Sequence, residues 1–268
     1  MADAAKTFAI TGVATGIGAE IASRLKTQGH RVIGFDIADH AEHVDLLIPL
    51  DLANPDSINQ AAARLDEPLD GLCNNAGIPP KENIDPALVL QVNFIGQRQF
   101  TSAVLNHLKP ESPIANMASR AGHQWRENLE QSLEVGAIKS PDALPGFIAK
   151  HQIDTTRAYN LSKEAMILWT MSETEMLIKR NLRMNSISPG AVSTGILDDF
   201  ARAFGDKMTK NVARAGRPAT TEDVARVAVF LLSDESSWLK GIDIPVDGGM
   251  GASAASDTLG LKALSLLQ

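Results

Sequence analysis

The chain has 268 residues, 44% hydrophobic and 21% charged, with 25 Lys+Arg against 32 Asp+Glu for a net charge of −7. That composition excludes a disordered chain and a basic surface for nucleic acid or an anionic membrane. A single cysteine excludes an intramolecular disulfide and a zinc site built from several thiolates. The N-terminus shows no charged-then-apolar signal pattern, and no apolar run approaches the roughly 18 residues of a membrane span. The sequence therefore reads as a soluble, cytoplasmic protein with no nucleic-acid or membrane partner. It also contains one tyrosine, Tyr159, so any chemistry that needs a phenol falls to that residue.

Strand-like and helical-period segments alternate from end to end. Thr7–Thr11 reads as a strand and Ile17–Gln28 as a helix ended by Gly29. Arg31–Asp36 and Leu46–Leu50 are the next strands, and a helix opens at Pro55 with Asn54 as its N-cap. Gly71–Asn75 is a fourth strand, Pro86–Leu108 a long helix and Ile114–Ala118 a fifth strand. A second long helix covers Thr155–Lys179, followed by a strand at Arg183–Ser188, a helix at Thr221–Leu232 and a last strand at Ile242–Val246. Such alternation predicts an α/β fold, a doubly wound parallel sheet (Rossmann) with helices on both faces. One domain spans 1–268, interrupted by a helix-prone insertion over about 122–152 and closed by a small, apolar arm over about 251–268.

The first strand runs into Thr11-Gly12-Val13-Ala14-Thr15-Gly16-Ile17-Gly18 and then a helix. Glycines let backbone turn tightly and approach a pyrophosphate, and the helix N-terminus offers it free N–H groups. No Lys-Ser/Thr follows the last glycine, which excludes the triphosphate P-loop; a glycine-rich turn without a ligand is the plain alternative. Asp36 ends the second strand 18 residues after Gly18, near the place where an acidic residue binds ribose hydroxyls. A carboxylate there repels a 2′-phosphate, and Thr15 places no cation beside it, so the pattern predicts NAD in preference to NADP. An aspartate at a strand end can also be a simple turn residue.

Asn74-Asn75-Ala76-Gly77 ends the fourth strand, and Ser119 follows the fifth, at the edge where open α/β sheets bind ligands. Tyr159 and Lys163 are four apart in a helical segment and so share a face. An ammonium beside a phenol favours phenolate and lowers its pKa from about 10. Each feature alone has an ordinary structural explanation; their order along one chain does not.

That order resembles the single-domain short-chain dehydrogenase/reductase family over about residues 6–250. The motifs are T-G-x-x-x-G-I-G at Thr11–Gly18, D-L at Asp51-Leu52, N-N-A-G at Asn74–Gly77, V-N-F-I-G around Asn93, Y-N-L-S-K at Tyr159–Lys163, S-P-G-A-V-x-T at Ser188–Thr194 and V-D-G-G at Val246–Gly249. The resemblance implies that Tyr159 is the general acid/base and that Ser119 polarises the substrate oxygen. It implies that Lys163 binds the nicotinamide ribose and lowers the tyrosine pKa, with Asn93 holding a water of a proton relay. Cofactor contacts are implied for Gly12, Thr15, Gly16, Ile17, Gly18, Asp36, Asp51, Leu52, Asn75, Ala76, Gly77, Tyr159, Lys163, Pro189, Gly190, Val192 and Thr194. The expected reaction interconverts a secondary or aryl/allylic alcohol and its carbonyl compound. The 40 residues from Ser119 to Tyr159 exceed the family's usual spacing, which resembles the bacterial 3α-hydroxysteroid dehydrogenase/carbonyl reductase and coniferyl-alcohol dehydrogenase branch. The family forms homodimers or homotetramers, and helices at 122–152 are expected to cover one of its interfaces and leave a dimer.

Leu197, Phe200, Phe204 and Met208 make an apolar stripe opposite Asp198, Asp199 and Arg202, expected to form a lid. Trp125, Arg126 and Ile78-Pro79-Pro80 are expected at the same mouth. Cys73 reads as a core thiol, and His40, His43, His107, His123 and His151 show no metal spacing. Two other classes compete. An S-adenosylmethionine-dependent methyltransferase shares the glycine loop and acidic residue but gives no reason for Ser119, Tyr159 and Lys163. A non-catalytic NAD-binding regulatory or structural protein of the same fold would not need the full set.

Overall fold

The structure is a computed structural model that describes residues 4–195 and 197–264; the side chains of Asp198, Asp206, Lys207, Met208 and Asn211 also lie outside the description. Seven strands form one parallel sheet: β1 (Thr7–Thr11), β2 (Arg31–Asp36), β3 (Leu46–Pro49), β4 (Gly71–Asn74), β5 (Pro113–Met117), β6 (Arg183–Pro189) and β7 (Asp243–Val246). Their spatial order is β3-β2-β1-β4-β5-β6-β7. The helices are α1 (Gly16–Thr27), α2 (Pro55–Ala63), α3 (Pro86–Leu90), α4 (Gly96–Val104), α5 (Leu129–Ala137), α6 (Leu144–His151), α7 (Thr155–Ser172), α8 (Thr174–Lys179), α9 (Leu197–Ala215), α10 (Thr221–Leu232) and α11 (Met250–Leu259).

Alternation along each strand divides the core. Phe8, Ile10, Val32, Cys73 and Ile187 pack with Ile21 and Leu25 of α1 and with Val224, Ala228 and Leu231 of α10. Ala9, Ile33, Leu72, Ile114 and Met184 pack on the other face with Phe100, Leu161 and Ile167 from α4 and α7. Sheets covered on both faces read as near-continuous apolar runs, and all seven residues of β6 are buried. Burial pushes the Cys73 thiol up to about 12, the environment of a core thiol. The expected Asn54 cap forms, accepting from the Asp56 and Ser57 N–H groups, and the structure adds a capping box of Thr220 with Asp223.

Three long expected segments are interrupted. The helix expected over Pro86–Leu108 contains a π-helical turn at Gln91–Ile95, closed by the Gly96 N–H on the Gln91 carbonyl. A Cβ at Gly96 would lie 2.2 Å from the Leu52 carbonyl oxygen, so the helix passes against that backbone and the extra residue is absorbed just before it. The helix expected over Thr155–Lys179 breaks at Glu173 into α7 and α8. The lid stripe lies on α9, kinked at Gly205 with φ of 51°.

Between β5 and α7 lie α5, α6 and short 3₁₀ turns. This segment is tied down by polar contacts. The Arg98 guanidinium donates to the carbonyls of Gly136 and Ile138, satisfying the end of α5. Glu164, 1% exposed, accepts from Arg157 (2.8 and 2.8 Å), Asn128 (2.9 Å) and Ser132 (3.0 Å). The segment thus lies over the face made by α4 and α7. Of the apolar arm expected over 251–268, α11 and a 3₁₀ turn at Leu261–Leu264 lie within the described residues and 265–268 outside them. Among the described residues no helix is long and apolar enough to cross a membrane, and no cluster of metal-ligating side chains occurs.

Candidate active site

The strand order reverses between β1 and β4, and in open α/β sheets ligands bind at the carboxyl ends of the strands beside such a reversal. A cleft of about 930 Å³ lies there. Every cofactor-site residue expected from the sequence lines it except Gly18 and, among the catalytic set, Asn93.

Gly12 and Gly16 adopt φ of 68° and 61°, left-handed conformations that favour glycine. Gly18 serves the loop from within: a Cβ there would lie 1.9 Å from the Gly12 carbonyl oxygen. The β4 end braces the loop. The Asn75 amide donates to the carbonyls of Thr11 (3.2 Å) and Gly12 (3.0 Å), and the Thr11 hydroxyl accepts from the Asn75 and Ala76 N–H groups. Asn75 is therefore a loop support that also faces the cleft. Asp36 has both roles weighed for it: its carboxylate accepts from the Ala14 N–H (2.9 Å) and the Ala38 N–H (3.0 Å) while lining the cleft. The described residues around it, Phe35, Ile37, Leu50, Asp51 and Leu52, include no cation. A carboxylate at this place can accept from ribose hydroxyls.

At the far end, Ser119 begins a 3₁₀ turn after β5, and its Oγ bonds the Tyr159 phenol. Lys163, one turn on, donates from Nζ to the Met117 carbonyl (2.9 Å), with Nζ 5.7 Å from the Tyr159 ring centre. Asn93 sits below: its amide accepts from the Ile78 N–H (2.7 Å) and donates to the Ile78 carbonyl (2.9 Å). A Cβ at Gly77 would lie 3.1 Å from Asn93 Oδ1 and 3.8 Å from Lys163 Nζ, so a bare backbone separates them. Ser119, Tyr159 and Lys163 meet at one end of the cleft, with Asn93 behind it.

The electrostatics differ from expectation. Tyr159 is pushed up to about 12 by burial, opposed by the bond from Ser119, rather than lowered by Lys163. Lys163 is itself pulled down to about 8, also by burial. Both groups lose solvation, and across this separation that outweighs their mutual attraction.

The lid also differs in part. Phe200 and Phe204 stack 13° from parallel and meet the Tyr159 ring edge-on at 5.3 and 6.5 Å. Asp199, expected on the opposite face, is 8% exposed and pairs with Lys81 (3.1 Å) and Arg202. Helical periodicity placed it outside, but the loop after β4 folds over to meet it. The Met208 side chain lies outside the described residues. Trp125 and Arg126 stack on each other, the guanidinium 4.0 Å from the ring centre, and do not line the cleft. Nor do Pro79 and Pro80, which are buried; Ile78, His123 and Gln124 do. Sequence reasoning missed Arg120, Thr156, Asn160, Met250, Gly251 and Ala254 in the wall. Only Arg120 carried a signal, as the neighbour of Ser119.

Comparisons with known proteins identify the family. A family profile described as short chain dehydrogenase matches residues 6–130, and one described as Enoyl-(Acyl carrier protein) reductase matches 146–251. The chain is 37% identical over 249 residues to a coniferyl-alcohol dehydrogenase of Pseudomonas sp. (strain HR199 / DSM 7063), covering 92% of this chain and 97% of the relative. It is 29% identical to a 3-alpha-hydroxysteroid dehydrogenase/carbonyl reductase of Comamonas testosteroni, covering 91% and 95%. Among solved structures, the 3-alpha-hydroxysteroid dehydrogenase of Pseudomonas sp. B-0831 complexed with NADH superposes with a TM-score of 0.79 at 28% identity, covering 93% and 98%. The chain belongs to the short-chain dehydrogenase/reductase family and is an oxidoreductase of that type.

Proposed function

We propose that this protein is a cytoplasmic NAD(H)-dependent dehydrogenase that interconverts an aryl-allylic alcohol and its aldehyde. One observation carries the reading: Ser119, Tyr159 and Lys163 meet at one end of a cleft whose other end holds the glycine loop and Asp36. The residues present fit a nicotinamide dinucleotide, with a left-handed glycine turn at a helix N-terminus for the pyrophosphate and the cleft-lining Asp36 carboxylate, oriented by the Ala14 and Ala38 N–H groups, for the ribose. When bound, that cofactor supplies the hydride acceptor or donor.

The chain's own groups handle the proton. Ser119 donates a hydrogen bond to the substrate oxygen and holds it over Tyr159 Oη. In oxidation the phenolate takes the hydroxyl proton as the carbinol carbon gives up hydride; in reduction the phenol returns it to the carbonyl oxygen. Lys163 holds the nicotinamide ribose from its seat on the Met117 carbonyl. Asn93, fixed on the Ile78 backbone, sets the floor of a water-borne relay to Lys163. Leu52, Val192 and Thr194 flank the two ends of the cofactor.

Substrate class follows from the lid. Two phenyl rings edge-on to Tyr159 give the cleft an aromatic wall against which a flat conjugated ring packs well, and the coniferyl-alcohol relative acts on such a compound by name. The test is a reduced-nicotinamide absorbance screen of cinnamyl-type alcohols against 3-hydroxysteroids, sugar alcohols and small ketols, with NAD and with NADP. The reading requires turnover of a cinnamyl-type alcohol with NAD; it fails if only steroids or sugars react.

Cofactor choice has its own test. Asp36→Ala is expected to weaken NAD and relax exclusion of NADP, narrowing the ratio of kcat/KM values by about tenfold or more. An unchanged ratio would leave Asp36 as a turn residue only. For assembly, we infer a homodimer, because the 122–152 segment covers the α4–α7 face that would otherwise be open to a further copy. Replacing residues 123–151 with a short linker is expected to raise the mass seen by light scattering; an unchanged mass would sink the idea.

A further inference from the structure

Asp247 follows β7 at the point where three walls of the cleft converge. Its side chain is 6% exposed and pairs with Arg120, Nε to Oδ2 at 3.0 Å. The same carboxylate accepts from the Gly249 N–H (3.0 Å) and the Gly251 N–H (2.9 Å), capping the start of α11. From the third side comes the Pro189-Gly190 strap, where a Cβ at Gly190 would lie 3.2 Å from Asp247 Cα and 2.5 Å from Met250 Cε. A Cβ at Gly251 would lie 2.8 Å from the Arg120 guanidinium. Two glycines thus let the strap and α11 close on this ion pair.

Arg120 directly follows Ser119. The turn it occupies is closed by the Ala121 N–H on Ser119 Oγ (3.1 Å), the Gly122 N–H on the Ser119 carbonyl (2.9 Å) and the His123 N–H on the Arg120 carbonyl (3.2 Å), and Gly122 packs on the Lys163 backbone of α7. Beyond that turn, Arg120 is the residue that anchors it to β7, facing Asp243 as well as Asp247. A partly buried guanidinium against a buried carboxylate with two further N–H donors is a directional clamp, and sub-ångström placement of a polarising hydroxyl decides rate.

We propose that Arg120 and Asp247 are positioning residues that hold Ser119 in register with Tyr159, making the C-terminal helix a working part of the catalytic site. The inference rests on the dehydrogenase reading of that site, and its test separates the two. The variants are Asp247→Asn, Arg120→Gln, their double, and Gly251→Ala, which crowds the guanidinium without removing either charge. NADH affinity is read by fluorescence, kcat and KM with NAD and a cinnamyl-type alcohol, and backbone exchange over residues 119–122 by hydrogen–deuterium labelling.

Each single variant is expected to lower kcat by about tenfold or more while NADH affinity and KM stay within about threefold, and the double to fall no further than the worse single. Exchange at Ala121 and Gly122 should quicken by about tenfold. Unchanged kcat with unchanged exchange overturns the proposal, as do losses that multiply in the double variant. Should the wild-type protein oxidise no alcohol at all, the site reading fails, and the exchange result alone decides whether the pair holds the loop.

Discussion

Tyr159→Phe is expected to lower turnover by about 10³- to 10⁴-fold, the scale of a lost general acid/base, while NADH binds within about threefold of wild type. The phenyl ring keeps its packing against Phe200 and Phe204, so the change removes one oxygen and little else. No other tyrosine exists in the chain to substitute for it. Steady-state rates with NADH titration check both halves, and a variant that retains most of its activity contradicts the mechanism. The raised phenol adds a direction with pH. With its pKa pushed up to about 12, Tyr159 is mostly protonated at neutral pH, ready to give a proton to a carbonyl, while taking one from an alcohol draws on the small phenolate fraction. Oxidation should therefore accelerate by up to about tenfold per pH unit on the acidic side of its pKa in the complex, while reduction slows at high pH.

Lys163→Met is expected to abolish useful turnover and make the protein more stable. The ammonium is 4% exposed and pulled down to about 8 from 10.5 by burial. Below pH 8 the fold holds a charge where it is poorly solvated, at a cost of roughly 3 kcal/mol. Methionine removes that cost but leaves the Met117 carbonyl without its donor, so the net gain at neutral pH is about 2 kcal/mol. The sign of the pH dependence follows by linkage. Between about 8 and 10.5 the unfolded chain binds more protons than the folded one at this site, so wild-type stability rises with pH there. Tyr159 acts oppositely between 10 and about 12, where the folded state holds the extra proton and stability falls. Denaturant titrations of both proteins across this range should show the first slope in wild type and its loss in Lys163→Met. Equal slopes would mean that Lys163 is solvated in the folded state. A group that destabilises its own fold is a cost proteins accept at working sites, as proposed here for Lys163.

The fold was legible because its signals are local. The period of each strand and helix and the Asn54 cap are set within a few residues, and strand ends shifted by only a residue or two, as from Ile114–Ala118 to Pro113–Met117. The candidate site was legible because its parts sit at the ends of those elements, so strand order alone brings Asp36, Ser119 and Tyr159 to one edge. Features set by contacts between distant segments were not legible. The π-turn at Gln91–Ile95 answers the close approach of Gly96 to Leu52. Asp199 is inside because Lys81 crosses to meet it. Arg120 and Asp247 are far apart in sequence and carry no shared period. The phenol's pKa depends on burial, which neighbour spacing does not report; the four-residue step to Lys163 predicted attraction and could not weigh desolvation against it.

The central claim is that hydride leaves a cinnamyl-type carbinol carbon for NAD while Tyr159 takes the proton. It is tested most directly by mixing the protein with NAD and an alcohol deuterated at that carbon and then weighing the reduced cofactor. The account predicts NADH that carries the deuterium, formed by wild type and not by Tyr159→Phe. Reduced cofactor without deuterium, or equal amounts from both proteins, would contradict it.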